Sequence, residues 1–236
     1  MSGVYLSDIP RVITALAEWC ACLTTYLLCA HNHTRRISGP RLWATLGVGL
    51  AVQCLFMQLT DELRIIFWLP CMMVAVALMF GLIAACCNMP LVSVGYCTVR
   101  AFLLAEFAAS LEWQLYSYAL YALGWQEEGM RKGVLSVLML AGVYAAVFSF
   151  LYWLESRRAD PRAAMAFQLK ELWSPILIAL TCFFLSNLSF INSGIPFTST
   201  VLTEIYNIRT LVDLAGVAML YAYHVQRCEF HMQREL

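Results

Sequence analysis

The sequence predicts an all-α integral membrane protein, a bundle of about seven transmembrane helices whose last helix continues into a cytoplasmic coiled-coil-like stalk. Three observations predict it. Of the 236 residues, 61% are hydrophobic and the mean hydropathy is +0.71, well above the ~45–50% apolar share of soluble domains. A run of ~20 apolar residues, the length that carries a helix across a ~30 Å hydrocarbon core, can be laid along the chain about seven times. The separators HNHTRRISGPR, TDE, NMP, WQEEGMRK, ESRRADPRAAMAFQLKE and NSGIPFTST are short and polar, and none can hide a second domain.

The first span, 10–30, carries Glu18. No basic stretch precedes it and no small-residue cleavage site follows, so it reads as a retained helix and not a signal peptide. Spans 42–60 and 64–87 flank the TDE separator. The fourth span, 91–123, is too long for one flat crossing and must tilt, project or break, with Gly95 as the break point. Span 134–154 follows. Segment 160–173 then reads as an interfacial helix, with Pro161 near its start and Phe167, Leu169, Leu172 and Trp173 to lie on the headgroups. Spans 174–191 and 204–225 complete the set. The chain divides into a polytopic membrane domain, 1–225, and the start of a signalling helix, 226–236.

Short loops rich in Lys and Arg stay in the cytoplasm. With the N-terminus outside, Arg35, Arg36, Arg41, Arg157, Arg158, Arg162, Lys170, Arg227 and Arg234 lie inside, against Arg11, Arg64, Arg131, Lys132 and Arg209 outside. The tally places the C-terminus in the cytoplasm. The 15 basic and 15 acidic residues balance to zero, without the basic excess that nucleic acid attracts.

Ionisable groups inside spans cost ~2.5–3.5 kcal/mol each on insertion scales and face the bundle interior or a wet cavity. Here they are Glu18, Arg100, Glu106, Glu112, Glu204, Arg209 and Asp213. Arg209 and Asp213 are four apart and can pair within one helix. Glu106 lies six residues from Arg100, a poor alignment that leaves it to a partner on another helix. One reading makes these charges structural ion pairs. The other gathers Glu112, Trp113, Tyr116, Glu204, Asn207 and Arg209, with Tyr118, Tyr206 and the loop NSGIPFTST, around an extracellular ligand.

Several chemistries lack their residues. The only lysines, Lys132 and Lys170, fall in loops, so no span offers a Schiff-base lysine. There is no HExxH, Walker loop, GxGxxG or GxSxG. His31 and His33 sit two apart beside a basic loop and read as solvated. The ten cysteines lie mostly in apolar stretches, where a thiol packs as a small hydrophobic group. Cys20 and Cys22 are roughly 200° apart around a helix and cannot chelate from one face. Cys86-Cys87 borders a turn and is the redox candidate. The sequence therefore implies no metal and no cofactor.

From Ala218 the chain runs on as AMLYAYHVQRCEFHMQREL with no Pro or Gly to stop the helix. Ala218, Tyr221, Val225, Cys228 and Met232 recur at intervals of three and four, the seam of a two-helix coiled coil. The run SNLSFINSGIPFTSTVLTEIYNIRTLVDLAGVAMLYAYHVQRCEFHMQREL, residues 186–236, resembles the end of the membrane sensor region of bacterial GHKL-type sensor histidine kinases, the AgrC-like group. The resemblance implies a homodimer in the bacterial cytoplasmic membrane that perceives a small extracellular ligand such as a peptide, as in quorum sensing. It also implies a following kinase domain, using ATP and Mg, that addresses a response regulator. The kinase boxes are not among these residues, and CEFHMQREL around His231 does not match a phospho-acceptor box. The alternative is a small transporter or substrate-binding membrane subunit with Glu18, Arg100 and Glu106 lining a midplane site.

Overall fold

The computed structural model describes residues 5–6, 9–31, 34–60, 68–122, 130–157, 168–192 and 201–235. They form the long helices α1 (Arg11–His31), α2 (Pro40–Leu59), α3 (Trp68–Cys86), α4 (Leu91–Ala122), α5 (Met130–Ser156), α6 (Trp173–Asn192) and α7 (Thr203–Glu235). Two-residue strands, β1 (Tyr5–Leu6) and β2 (Val201–Leu202), pair antiparallel with Tyr5 opposite Leu202, tying the start of the chain to the entry of α7. Periodicity does not announce this pairing, because two residues are too few to show one.

Helices α1 to α6 are long and apolar enough to cross a membrane, with mean hydropathies from 1.4 to 2.4. Helix α7 is not one of this set. Its 33 residues span about 50 Å, more than a bilayer core, but Glu204, Arg209 and Asp213 crowd its first half. The chain is thus a multi-pass membrane protein in which six helices among the described residues qualify on length and composition, where the sequence leads to an expectation of seven.

Helices α1 and α4 form the centre, with 56% and 61% of their membrane windows buried, against 17% for α5. Helix α4 packs against α1 and α7 most extensively and also meets α3, α5 and α6. Its inward side alternates small and large residues. Ala101, Ala105, Ala108 and Ala109 let neighbouring backbones approach, the usual device where lipid supplies no hydrophobic drive between helices. The outer helices turn Val48, Leu55, Leu59, Met73, Val137, Leu138 and Leu177 outward, as lipid-facing surfaces should.

Helix α4 is unbroken over its 32 residues, so Gly95 is not the expected break. Its missing Cβ serves packing: a Cβ there would sit 3.3 Å from Leu172, in the 3-10 turn Leu169–Leu172 that leads into α6. That turn and Trp173 represent the described part of the interfacial segment. Gln168 and Glu171 close it with reciprocal side-chain and backbone contacts, and Leu169, Lys170 and Trp173 are exposed. Residues 160–167 lie outside the described residues.

At one end of the bundle the turn after α1 joins the turn after α3. Thr34 N–H donates to Cys29 C=O (2.9 Å), Arg36 N–H to Cys86 C=O (2.9 Å) and Asn88 N–H to Thr34 C=O (2.7 Å). Gly39, at φ 67°, adopts the left-handed conformation that starts α2, with Pro40 in its first turn. This end also carries Arg35, Arg36 and Arg41 and is called the basic end below. Helices α1, α3, α5 and α7 run toward it.

Candidate functional site

Polar side chains of α4 fall at three levels along the bundle, and α7, antiparallel to α4, meets them at the middle and basic levels. The middle level is enclosed. Arg209 of α7 reaches Glu106 of α4, Nη2 to Oε2 at 2.9 Å, with Arg209 7% and Glu106 3% exposed. Four residues on, Asp213 accepts from two hydroxyls, Ser110 of α4 at 2.7 Å and Ser186 of α6 at 2.6 Å. Asp213 is 1% exposed. Glu106 therefore takes the inter-helix partner its spacing calls for. Asp213 also lies within electrostatic reach of Arg209 one turn before it, while each of the two binds other helices as well. Close packing accompanies the polar contacts, since a Cβ on Gly216 would lie 2.8 Å from Cys182 Sγ of α6.

On the other side of α4, Glu18 of α1 accepts a hydrogen bond from Gln53 Nε2 of α2. Glu18 is fully buried and its Oε1 has no hydrogen-bond partner among the described residues. Glu18 and Glu106 lie within electrostatic reach of one another, so α4 carries acidic contacts on two faces.

Toward the end opposite the basic one, Glu112 is 0% exposed, and neither carboxylate oxygen has a hydrogen-bond partner among the described residues. Nearby, Trp113 and Tyr116 are buried against each other, ring centroids 5.6 Å apart. Tyr144 of α5 donates to Ile13 C=O of α1 at 2.8 Å and lies within electrostatic reach of Glu112. Of the expected ligand-binding set, Glu112, Trp113 and Tyr116 are interior side chains. Arg209 belongs to the middle level, turned toward Glu106. Tyr118 is exposed. The side chains of Glu204, Tyr206 and Asn207, and the loop NSGIPFTST, lie outside the described residues. Two larger clefts open between helices among the described residues, one of about 460 Å³ between α1 and α5 that includes Tyr144. The other, of about 380 Å³, between α3, α4 and α6, is walled by Met72, Phe80, Phe102 and Phe183.

The third level lies at the basic end. Arg100 of α4 pairs with Glu155 of α5 at 2.8 Å, and its guanidinium lies 5.9 Å from the Tyr96 ring centroid. Tyr96 stacks on His224 of α7 at 6.1 Å. Glu171 then fastens α7 twice: Arg227 Nε binds its carboxylate at 2.9 Å, and Tyr223 Oη donates to its carbonyl at 2.8 Å. Arg100 is thus satisfied separately from Glu18 and Glu106, and the three do not form one midplane site.

This level also divides the proposed coiled-coil seam. Ala218 is exposed and Tyr221 and Val225 are half-buried, but Cys228 is buried, its Sγ 3.8 Å from His224 Nε2. The face of α7 against the bundle is Asp213, Gly216, Leu220, His224 and Arg227. The side chains of His231 and Met232 lie outside the described residues.

Sequence reasoning missed Gln53, Ser110, Glu155, Glu171, Ser186, His224 and Arg227. Glu155 and Glu171 fall in a polar separator, and the serines look neutral in an apolar run. The available signal is arithmetical: each buried charge needs a counter-group, and the nearest unassigned polar residues at span ends supply it.

Comparison with known family models, with curated proteins and with solved structures returns no match to this chain, and none links it to GHKL-type sensors.

Proposed function

We propose that the chain is the membrane sensor domain of a signal-transduction system of the histidine-kinase type, with α7 as its moving part. One observation carries this reading: α7 is a single helix of 33 residues held by a buried ion pair near one end and by Glu171 near the other. A rigid helix about 50 Å long passes a displacement from one end to the other with little loss. In this reading α7 is a seventh crossing, the N-terminus is outside, and the basic end faces the cytoplasm. A small extracellular ligand acts near the outer end of α7, and two copies pair along its exposed face. A kinase domain, with ATP and Mg, would receive the movement and pass it to a response regulator.

The test uses single cysteines introduced at Ala222, Gln226 and Glu229, exposed positions on α7, in a background lacking the native cysteines. Cross-linking between copies in native membranes at these sites, which share one face of α7, with an efficiency that changes in Arg209→Ala, supports the reading. Absent cross-linking at all three, or cross-linking unaltered by Arg209→Ala, refutes it.

A second reading, a proton- or solute-translocating subunit, is favoured by Glu112, a carboxylate buried without a hydrogen-bond partner among the described residues. Intramembrane acids of this kind recur in proton relays. It requires uptake into vesicles that Glu112→Gln abolishes, without any partner domain.

A further inference from the structure

The turn after α1 and the turn after α3 bring together two thiols that the sequence keeps 58 positions apart, from Cys29 to Cys87. Cys29 is 5% exposed and Cys87 is 1% exposed, and their side chains lie within electrostatic reach of one another. The pair is held by backbone. Thr34 donates to Cys29 C=O from both its N–H and its hydroxyl, at 2.9 and 3.1 Å, and Cys87 forms a bridge with Arg35. Arg36 adds a side-chain bond to Ala84 C=O at 3.2 Å.

Arg35 and Arg36 flank the turn, and Arg100 lies within electrostatic reach of Cys29, while both sulfurs border the apolar core of the bundle. No three metal-ligating side chains gather here among the described residues, which turns the chemistry from metal binding to sulfur oxidation. The partner of Cys87 is thus Cys29 and not its neighbour Cys86, which the sequence suggests.

We propose that Cys29 and Cys87 form an oxidisable dithiol, a disulfide-forming site whose oxidant is a peroxide. Both sulfurs are buried, so the oxidant must be small. The Cys29 sulfur attacks one peroxide oxygen and the O–O bond breaks, giving a sulfenic acid and one water. The Cys87 sulfur then attacks the sulfenic sulfur; the S–O bond breaks, and a second water leaves with the Cys87 proton. Two thiols lose two electrons and two protons, and the peroxide becomes two waters. The new bond staples the exit of α1 to the exit of α3 beneath the basic turn.

The full chain in phospholipid vesicles is treated with hydrogen peroxide, its remaining thiols are alkylated under denaturing conditions, and the linked peptides are mapped. The expected result is a Cys29–Cys87 linkage that dithiothreitol reverses. In Cys87→Ser, Cys29 should be captured by dimedone as the sulfenic acid, and in Cys29→Ser neither product should form. The proposal is overturned if both cysteines of the treated wild-type chain alkylate as fully as in the untreated one. It is equally overturned if the linkage falls on Cys86 or Cys97. The wild-type map decides even if a serine variant does not fold.

Discussion

Arg209→Met removes the cation that faces Glu106 at 2.9 Å across α4 and α7 while keeping a side chain of similar length. What remains is a carboxylate 3% exposed in the middle of a membrane bundle. Breaking a buried pair from one side costs about 3–5 kcal/mol, because the surviving charge is stranded. An ordinary hydrogen bond between membrane helices contributes about 0.6 kcal/mol, so the two cases are separable by measurement. For a chain of this size the larger loss corresponds to a melting temperature lowered by roughly 6–20 °C, taking about 2–4 °C per kcal/mol. Asp213 keeps both serine hydroxyls in the variant but also loses the attraction of Arg209, so the part of the loss assignable to Glu106 is the part that Glu106→Gln restores. The assay is thermal unfolding in one detergent of wild type, Arg209→Met, Glu106→Gln and the double variant. Glu106→Gln in the Arg209→Met background should restore about 2 kcal/mol or more, since a neutral amide is no longer a stranded charge. Single effects below about 1 kcal/mol that add in the double variant to within about 0.5 kcal/mol would refute the reasoning.

Gly216→Val should cost about 1–3 kcal/mol by overpacking, since its Cβ would lie 2.8 Å from Cys182 Sγ; Cys182→Ala should recover part of the loss in the same melt. Glu112→Leu, which removes a buried carboxylate lacking a hydrogen-bond partner among the described residues, should leave the melting temperature unchanged or raised, and a drop of several degrees would show that the carboxylate is satisfied. Glu171→Ala takes this carboxylate from Arg227, whose side chain is only 5% exposed, and should cost about 1–3 kcal/mol, above the range of an exposed pair. A spin label at Gln226 should then gain mobility because α7 loses its tether to the turn before α6.

Residue type alone makes the helices legible. Uninterrupted apolar runs between polar separators place α5 at 134–154 from sequence and at Met130–Ser156 in the structure, and the other helices agree as closely. The burial of Glu18, Glu106 and Asp213 is equally legible, because a charge inside a span has few places to go. What periodicity cannot supply is the identity of each partner. A 3.6-residue repeat gives a face, but the residue opposite Glu106 is 103 positions away and no local pattern points to it. Of the expected α7 seam, Cys228 is buried for a related reason. The helix carries apolar residues on most of its circumference, so several three-and-four ladders coexist, and the bundle itself takes the one through Leu220, His224 and Arg227. Gly95 misleads because glycine signals either a bend or a close neighbour, and only the position of Leu172 distinguishes the two.

The separation between Glu106 and Arg209 also sets a timetable. Helix α4 enters the bilayer before α7 has been synthesised, and at about 5–20 residues per second the missing 103 residues take roughly 5–20 s to make. Throughout that interval the central helix carries an acidic group whose counter-ion does not yet exist. The nascent bundle must therefore shelter Glu106 by other means, through water, the insertion machinery or a helix still unpacked, until its arginine is synthesised.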